Sequence, residues 1–367
     1  MFNVIIFGTG KSRKIVESGF NDDVNVIAYL DNNTDKWNQK INGKYILNPE
    51  NIKNMEYDYV IIASQYNDII YNQLINLGVD IKKIFQHNIF FMSIWNDICY
   101  RMKTIENMNK DELNLIITGI SYAQKGIKTD KLRKKSFSLA CFSQDLFYDY
   151  TQVKWIINNL SDNIQNLKYV IIGLSYYSFE YDMSLSSQKY RTLLYYDAIK
   201  ESHHLKNTDY LLEGMNITKK IAKNIFSYDK DGRLDKIDFM FTKKRIYLLS
   251  DEKGKEQAER DCNKNYPETV KENTKIFKDY LTLLKDNNIK PIVVVFPVSK
   301  YYSKYFSRRV KNEFENILNE VRKDYDFQLI DYFDSDEFTD DDFYDVSHLN
   351  NDGALKFTEI LNNIIKW

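Results

Sequence analysis

With 367 residues the chain is long enough for two domains, and 51 Lys and Arg against 52 Asp and Glu leave a net charge of −1, excluding the basic excess that nucleic acid requires. Cys99, Cys141 and Cys262 are odd in number and far apart, which suggests neither a disulfide framework nor a zinc site and makes a reduced cytoplasm the simpler expectation. The N-terminus has no signal-peptide pattern, and no stretch approaches the ~20 apolar residues of a membrane span, so none is expected.

Residues 1–88 alternate short apolar strands (3–7, 25–30, 58–63 and 83–85) with helical or loop segments, which predicts a parallel sheet with crossovers. The first strand runs into Gly8-Thr-Gly10-Lys11-Ser12-Arg13. The second ends at Asp31, about 20 residues on, where a dinucleotide-binding unit places its ribose-binding acid. Arg13 replaces the third glycine of that fingerprint and sets a cation beside the phosphate-binding turn. A βα connection that binds nothing, with Asp31 as a turn cap, is the plainer alternative. Together with Tyr29-Leu-Asp-Asn-Asn33 and Asp58-Tyr-Val-Ile-Ile-Ala-Ser64, the segment resembles the small Rossmann-like modules of bacterial polysaccharide-biosynthesis proteins. The resemblance implies a nucleotide, a nucleotide sugar or CoA as the ligand to test at Gly8, Gly10, Lys11, Ser12, Arg13 and Asp31.

Residues 89–111 carry Ile94, Ile98, Met102 and Ile105 near helical spacing, which predicts a connecting helix. From 112 to 367 a second domain is expected, with near-continuous apolar strands at 113–118, 168–173, 291–296 and 327–331 and helices at 309–323 and 352–365. Such strands imply a sheet covered on both faces. A charged, tyrosine-rich, helical insertion at about 180–275 is too long for a simple connection and reads as a lid or substrate-binding subdomain. His203 and His204 lie in it. Adjacent residues of a regular element point to different faces, so no metal is expected there.

The apolar run Leu115-Ile-Ile-Thr-Gly-Ile-Ser121 delivers a serine hydroxyl to the tip of a strand, where a helix start supplies free backbone N–H groups. Near the far end, Asp345-Val-Ser-His348 sits just ahead of a terminal helix and offers a base together with a carboxylate to orient it. A helix cap at Ser121 and a surface turn at His348 are the bland alternatives. This arrangement resembles the SGNH (GDSL-type) hydrolase superfamily, in a divergent branch found with D-alanyl-transfer proteins and in surface-polysaccharide clusters. Gly119-Ile-Ser121 stands as the first block and Asp345-Val-Ser-His348-Leu-Asn as the last, with residues 137–145 and 169–177 where the second and third fall.

The resemblance implies a three-layer α/β/α domain with Ser121, Asp345 and His348 as catalytic residues. It also implies an oxyanion hole built from the Ser121 N–H, an N–H near Ala140 or Cys141, and the Ser175 hydroxyl. The sequence departs from the family pattern in three places: Ile120 replaces the Asp of the first block, Ala140/Cys141 replace the glycine of the second, and Ser175, Tyr176 and Tyr177 stand where the third has asparagine. The expected function is therefore a serine-dependent O-acyltransferase or esterase acting on sugars or glycan precursors in bacterial surface-glycan synthesis, with Tyr176, Tyr177 and Ser178 beside the acceptor or serving as packing. Two other functions stay open. One is a nucleotide- or nucleotide-sugar-binding protein, or an NAD-dependent oxidoreductase, whose second domain is a degenerate scaffold. The other is a non-catalytic interaction protein.

Overall fold

A computed structural model describes residues 1–95, 98–109, 112–228 and 249–367. The side chain of Ile94 and the part of the expected insertion at 229–248 lie outside the described residues. The chain is a two-unit α/β protein: one unit comprises Met1–Asp97 with Lys206–Lys243, the other Ile98–Leu205 with Lys244–Trp367. Among the described residues no helix is long and apolar enough to cross a membrane.

The first unit holds strands β1 (Phe2–Phe7), β2 (Val24–Leu30), β3 (Lys40–Ile41), β4 (Lys44–Leu47), β5 (Tyr59–Ile62) and β6 (Ile84–Gln86) in the order β3-β4-β2-β1-β5-β6. All pairs are parallel except the β3–β4 hairpin, whose Asn42 and Gly43 both have positive φ (49° and 79°), as a two-residue turn demands. Alternating side chains split between the two faces. Val4, Ile6, Ile61 and Phe85 enter one core, while Ile5, Phe7, Val60, Ile62 and Ile84 enter the other. The first face is closed by the helix Thr208–Ile225, which buries Ile221, Ala222 and Ile225 against it and is followed by Phe226 in the same core. Part of the expected insertion thus builds the N-terminal unit.

The second unit holds β7 (Leu115–Gly119), β8 (Ser136–Ser138), β9 (Tyr169–Leu174), β10 (Lys290–Val295) and β11 (Gln328–Asp331), all parallel, in the order β11-β10-β9-β7-β8. Its flanking helices are amphipathic. In Arg308–Val321 the buried residues Val310, Phe314, Leu318 and Val321 recur at helical spacing, and in Asn351–Ile364 they are Ala354, Phe357 and Leu361. Asn350 caps the latter by accepting from the N–H groups of Asp352 and Gly353. The chain leaves β7 toward β8 on one side and later returns to β9 on the other. The strand order therefore reverses between β7 and β9, the kind of position where open parallel sheets bind ligands at the carboxyl ends of their strands.

Candidate functional site

Ser121 stands at that reversal. β7 ends at Gly119, which pairs with Gly173 of β9. Gly119 has φ 131°, and a Cβ on it would lie 2.4 Å from the Gly173 carbonyl oxygen, so only glycine allows the chain to turn here. Its N–H donates to Asp149 Oδ1 at 2.7 Å. The helix Ser121–Gly126 starts immediately afterward, and first-turn amides such as those of Ser121 and Tyr122 have no intrahelical acceptor.

The far end of the chain meets this serine. His348 Nε2 lies 2.8 Å from Ser121 Oγ, and its Nδ1 lies 2.9 and 3.1 Å from the two oxygens of Asp345. Asp345 Oδ1 also accepts the N–H groups of Ser347 and His348, both at 2.9 Å. Burial pushes the Asp345 carboxyl up, but the His348 ring and these donors outweigh it and hold the carboxyl below the usual range. The Tyr122 ring stacks on the His348 imidazole at 5.1 Å and 20°, and the Ser347 hydroxyl lies 3.1 Å from Nδ1, so the ring is fixed from its face and its edge. Nδ1 thus carries its proton toward a carboxylate while Nε2 faces the serine hydroxyl, the arrangement that lets an imidazole withdraw a serine proton.

The expected oxyanion residues fare differently. The Cys141 N–H donates to the Gly119 carbonyl at 3.0 Å, because residues 139–141 extend the β8 ladder along β7, so it is not free to hold an oxyanion. The Ala140 carbonyl accepts from Arg101 at 2.8 Å, and the ladder directs the N–H groups of its neighbours Leu139 and Cys141 toward β7. The Ser175 N–H donates to Ser178 Oγ at 2.9 Å, and the two hydroxyls lie 3.3 Å apart, so Ser175 is engaged within its own turn. Tyr176 is packing, its ring against Phe314 and Phe333 and its hydroxyl donating to Asp331. Tyr177, by contrast, is buried beside the Tyr122 hydroxyl with the Lys264 ammonium 4.1 Å from its ring.

Sequence reasoning missed Asp149, Tyr122, Ser347, Lys264 and the pair Tyr302–Asp261 (2.8 Å). Tyr122 and Ser347 adjoin the motif residues and were open to inspection. Asp149 and Asp261 are distant in sequence and carry no local signal. Asp149 is wholly buried, and burial above all pushes its carboxyl up to about 8 despite hydrogen bonds from Gln144 and the Gly119 N–H.

In the N-terminal unit, Gly8, Gly10, Lys11, Ser12, Asp31 and Lys36 line a cavity of about 600 Å³ together with Ala63 to Tyr66. Gly8 has φ 108°, and a Cβ there would meet the Ala63 carbonyl oxygen at 2.7 Å, whereas Gly10 faces open space. Asp31 is already engaged by the Thr9 hydroxyl, the Lys36 ammonium at 2.8 Å and the Asn33 N–H. Burial raises its carboxyl, and these donors more than offset that, leaving it lowered. Arg13 does not line the cavity. It pairs with Glu17 beneath the Tyr29 ring and is buried, which corrects its expected place as a cation beside the turn.

Comparison with known families matches residues 128–364 to the model of a family described as a protein of unknown function, DUF1574. The chain belongs to the DUF1574 family. The DUF1574 match takes in Asp345 and His348 and begins seven residues after Ser121. Residues 1–85 match a separate model, C2185-like, N-terminal. No curated protein matches the chain.

Proposed function

We propose that this DUF1574 chain is a serine-dependent O-acyltransferase or esterase of the SGNH type, acting on sugars or glycan precursors. The observation that carries the reading is the unbroken relay Ser121–His348–Asp345, with separations of 2.8 and 2.9 Å. Support also comes from its position at the β7/β9 reversal and from the serine-first, aspartate-and-histidine-last order on a parallel sheet.

In this reading Ser121 Oγ attacks an acyl carbonyl while His348 Nε2 takes its proton, and Asp345 remains ionised and holds the imidazolium. The developing oxyanion meets the first-turn N–H groups of Ser121 and Tyr122, each such donor contributing about 3 kcal/mol when aligned. His348 then returns the proton to the departing alcohol oxygen. Water or a sugar hydroxyl, deprotonated by the same nitrogen, opens the acyl-enzyme. Tyr177, buried beside Tyr122, and the half-buried Lys264 over its ring give the acceptor an aromatic and cationic wall. The test is stoichiometric labelling by a fluorophosphonate probe together with cleavage of p-nitrophenyl acetate, with and without sugar acceptors. Both are expected to vanish in Ser121→Ala, and turnover that survives this substitution unchanged sinks the proposal.

A second reading concerns the N-terminal unit, where Lys11, Ser12 and Lys36 line the cavity beside the Gly8 turn. Here the ligand is a nucleotide, a nucleotide sugar or CoA, with its phosphates on the turn and the start of the helix Lys11–Ser18. Calorimetric titration with each is the measurement, and heat from none of them removes this reading.

A further inference from the structure

Four side chains of the second unit that the serine site does not use converge on one point. Asp182 lies after β9, His203 and His204 in the turn that follows the helix Thr192–Ile199, and Glu272 on the helix Pro267–Asp286. One ligand atom from each lies within 4.8 Å of all the others. The sequence expectation sent the two histidines to different faces. Instead His203 takes φ 48° in an irregular turn, and the two rings lie 4.1 Å apart, tilted by 31°. Glu272 Oε1 is 3.3 Å from His203 Nε2 and 3.5 Å from His204 Nε2, while Asp182 Oδ1 is 3.4 Å from His203 Nδ1 and its Oδ2 is 2.7 Å from His204 Nδ1.

An independent observation points to a ligand. The His203 side chain is only 6% exposed, and its Nδ1 has no hydrogen-bond partner: the Asp182 oxygen is within reach of charge but not aligned. Buried ring nitrogens are ordinarily satisfied, and a lone pair left without a donor suits a metal. The ring is also held in place, stacked on Phe147 at 4.1 Å and 7°.

We propose that Asp182, His203, His204 and Glu272 bind one divalent transition-metal ion, Zn²⁺ by their chemistry. Two imidazoles with two carboxylates favour zinc over magnesium or calcium, which take oxygen sets. Zinc bonds of about 2.0 Å give tetrahedron edges of about 3.3 Å, and, with one nitrogen from each ring, the 3.4 Å from His203 Nδ1 to Asp182 Oδ1 and the 3.5 Å from His204 Nε2 to Glu272 Oε1 match them. His204 and Glu272 are 40% and 41% exposed, which gives the ion a way in from solvent. Once bound, the ion ties the segment after β9 to the long helix Pro267–Asp286. This assignment is independent of the chemistry at Ser121.

The experiment is to strip the full-length protein with a chelator, titrate it with Zn²⁺ against a chromophoric competitor, and repeat with Co²⁺ while recording visible absorption. About one equivalent is expected, with the intense bands of four-coordinate Co²⁺ and a Tm that rises with metal concentration. Glu272→Gln, at a half-exposed position that does not threaten folding, and His203→Ala are each expected to weaken binding by about tenfold or more. Two results overturn the proposal: less than about a tenth of an equivalent bound to the wild type, or undiminished binding in Glu272→Gln with an unchanged far-UV spectrum.

Discussion

In the proposed chemistry Ser121 and His348 share one proton, so their loss is expected not to be additive. Ser121→Ala and His348→Ala are each expected to lower ester cleavage by on the order of 10⁴-fold or more, and the double variant by no more than either alone, as initial rates will show. Gly119→Ala is a different kind of lesion. With φ 131° and a Cβ 2.4 Å from the Gly173 oxygen, it costs about 3 kcal/mol, readable by urea unfolding. Asp149 makes a pH prediction. Its carboxyl is raised from 3.8 to about 8, so the stability it permits is fully present below 3.8, where both states are protonated, and is lost as pH rises toward 8. Asp149→Asn keeps an oxygen for the Gly119 N–H and removes this loss, so its Tm relative to wild type is expected to climb between those two values. These residues divide by legibility. Ser121, Asp345 and His348 were readable because each lies in a short motif with its own local logic, whereas Asp149 was not, because its meaning depends on a contact 30 residues away. Cys141 was misjudged for a similar reason: whether its N–H is free depends on how far β8 follows β7.

At the scale of elements, the apolar runs of β1, β2, β5, β7, β9 and β10 were visible because strands buried on both faces are continuously apolar. The hairpin β3–β4 was overlooked even though Asn42-Gly43 is a recognised turn signal, since its strands are too short to show alternation. The three-residue β8 hid for the same reason. The helix Thr208–Ile225 was legible as a helix, but its allegiance was not: nothing local says that Ile221, Ala222 and Ile225 belong to a sheet more than 100 residues earlier. Phe226, just beyond it, stacks on Phe90 at 5.3 Å and 13° and meets Phe85 edge-on at 5.5 Å. Phe226→Ala is expected to cost about 3–5 kcal/mol in the N-terminal unit, measured by hydrogen exchange of β1 and β6, while leaving fluorophosphonate labelling of Ser121 intact.

For the whole molecule, the boundary drawn from sequence near residue 88 separates two sheets but not two independent chains, because Lys206–Lys243 belongs with Met1–Asp97. A fragment ending near residue 109 is therefore expected to expose the face formed by Val4, Ile6, Phe85 and Phe90, to bind a hydrophobic dye, and to lose that binding when the helix Thr208–Ile225 is supplied in trans or by fusion. The same connectivity sets a timetable for synthesis. At roughly 5–20 residues per second, the ribosome takes on the order of ten seconds after finishing β6 to deliver the helix that covers it. Throughout that interval the first sheet has one open apolar face, and the strands carrying Gly119 and Gly173 emerge before the earlier unit can close. A chaperone that shields this face during translation, rather than after release, is the protection such a wiring requires.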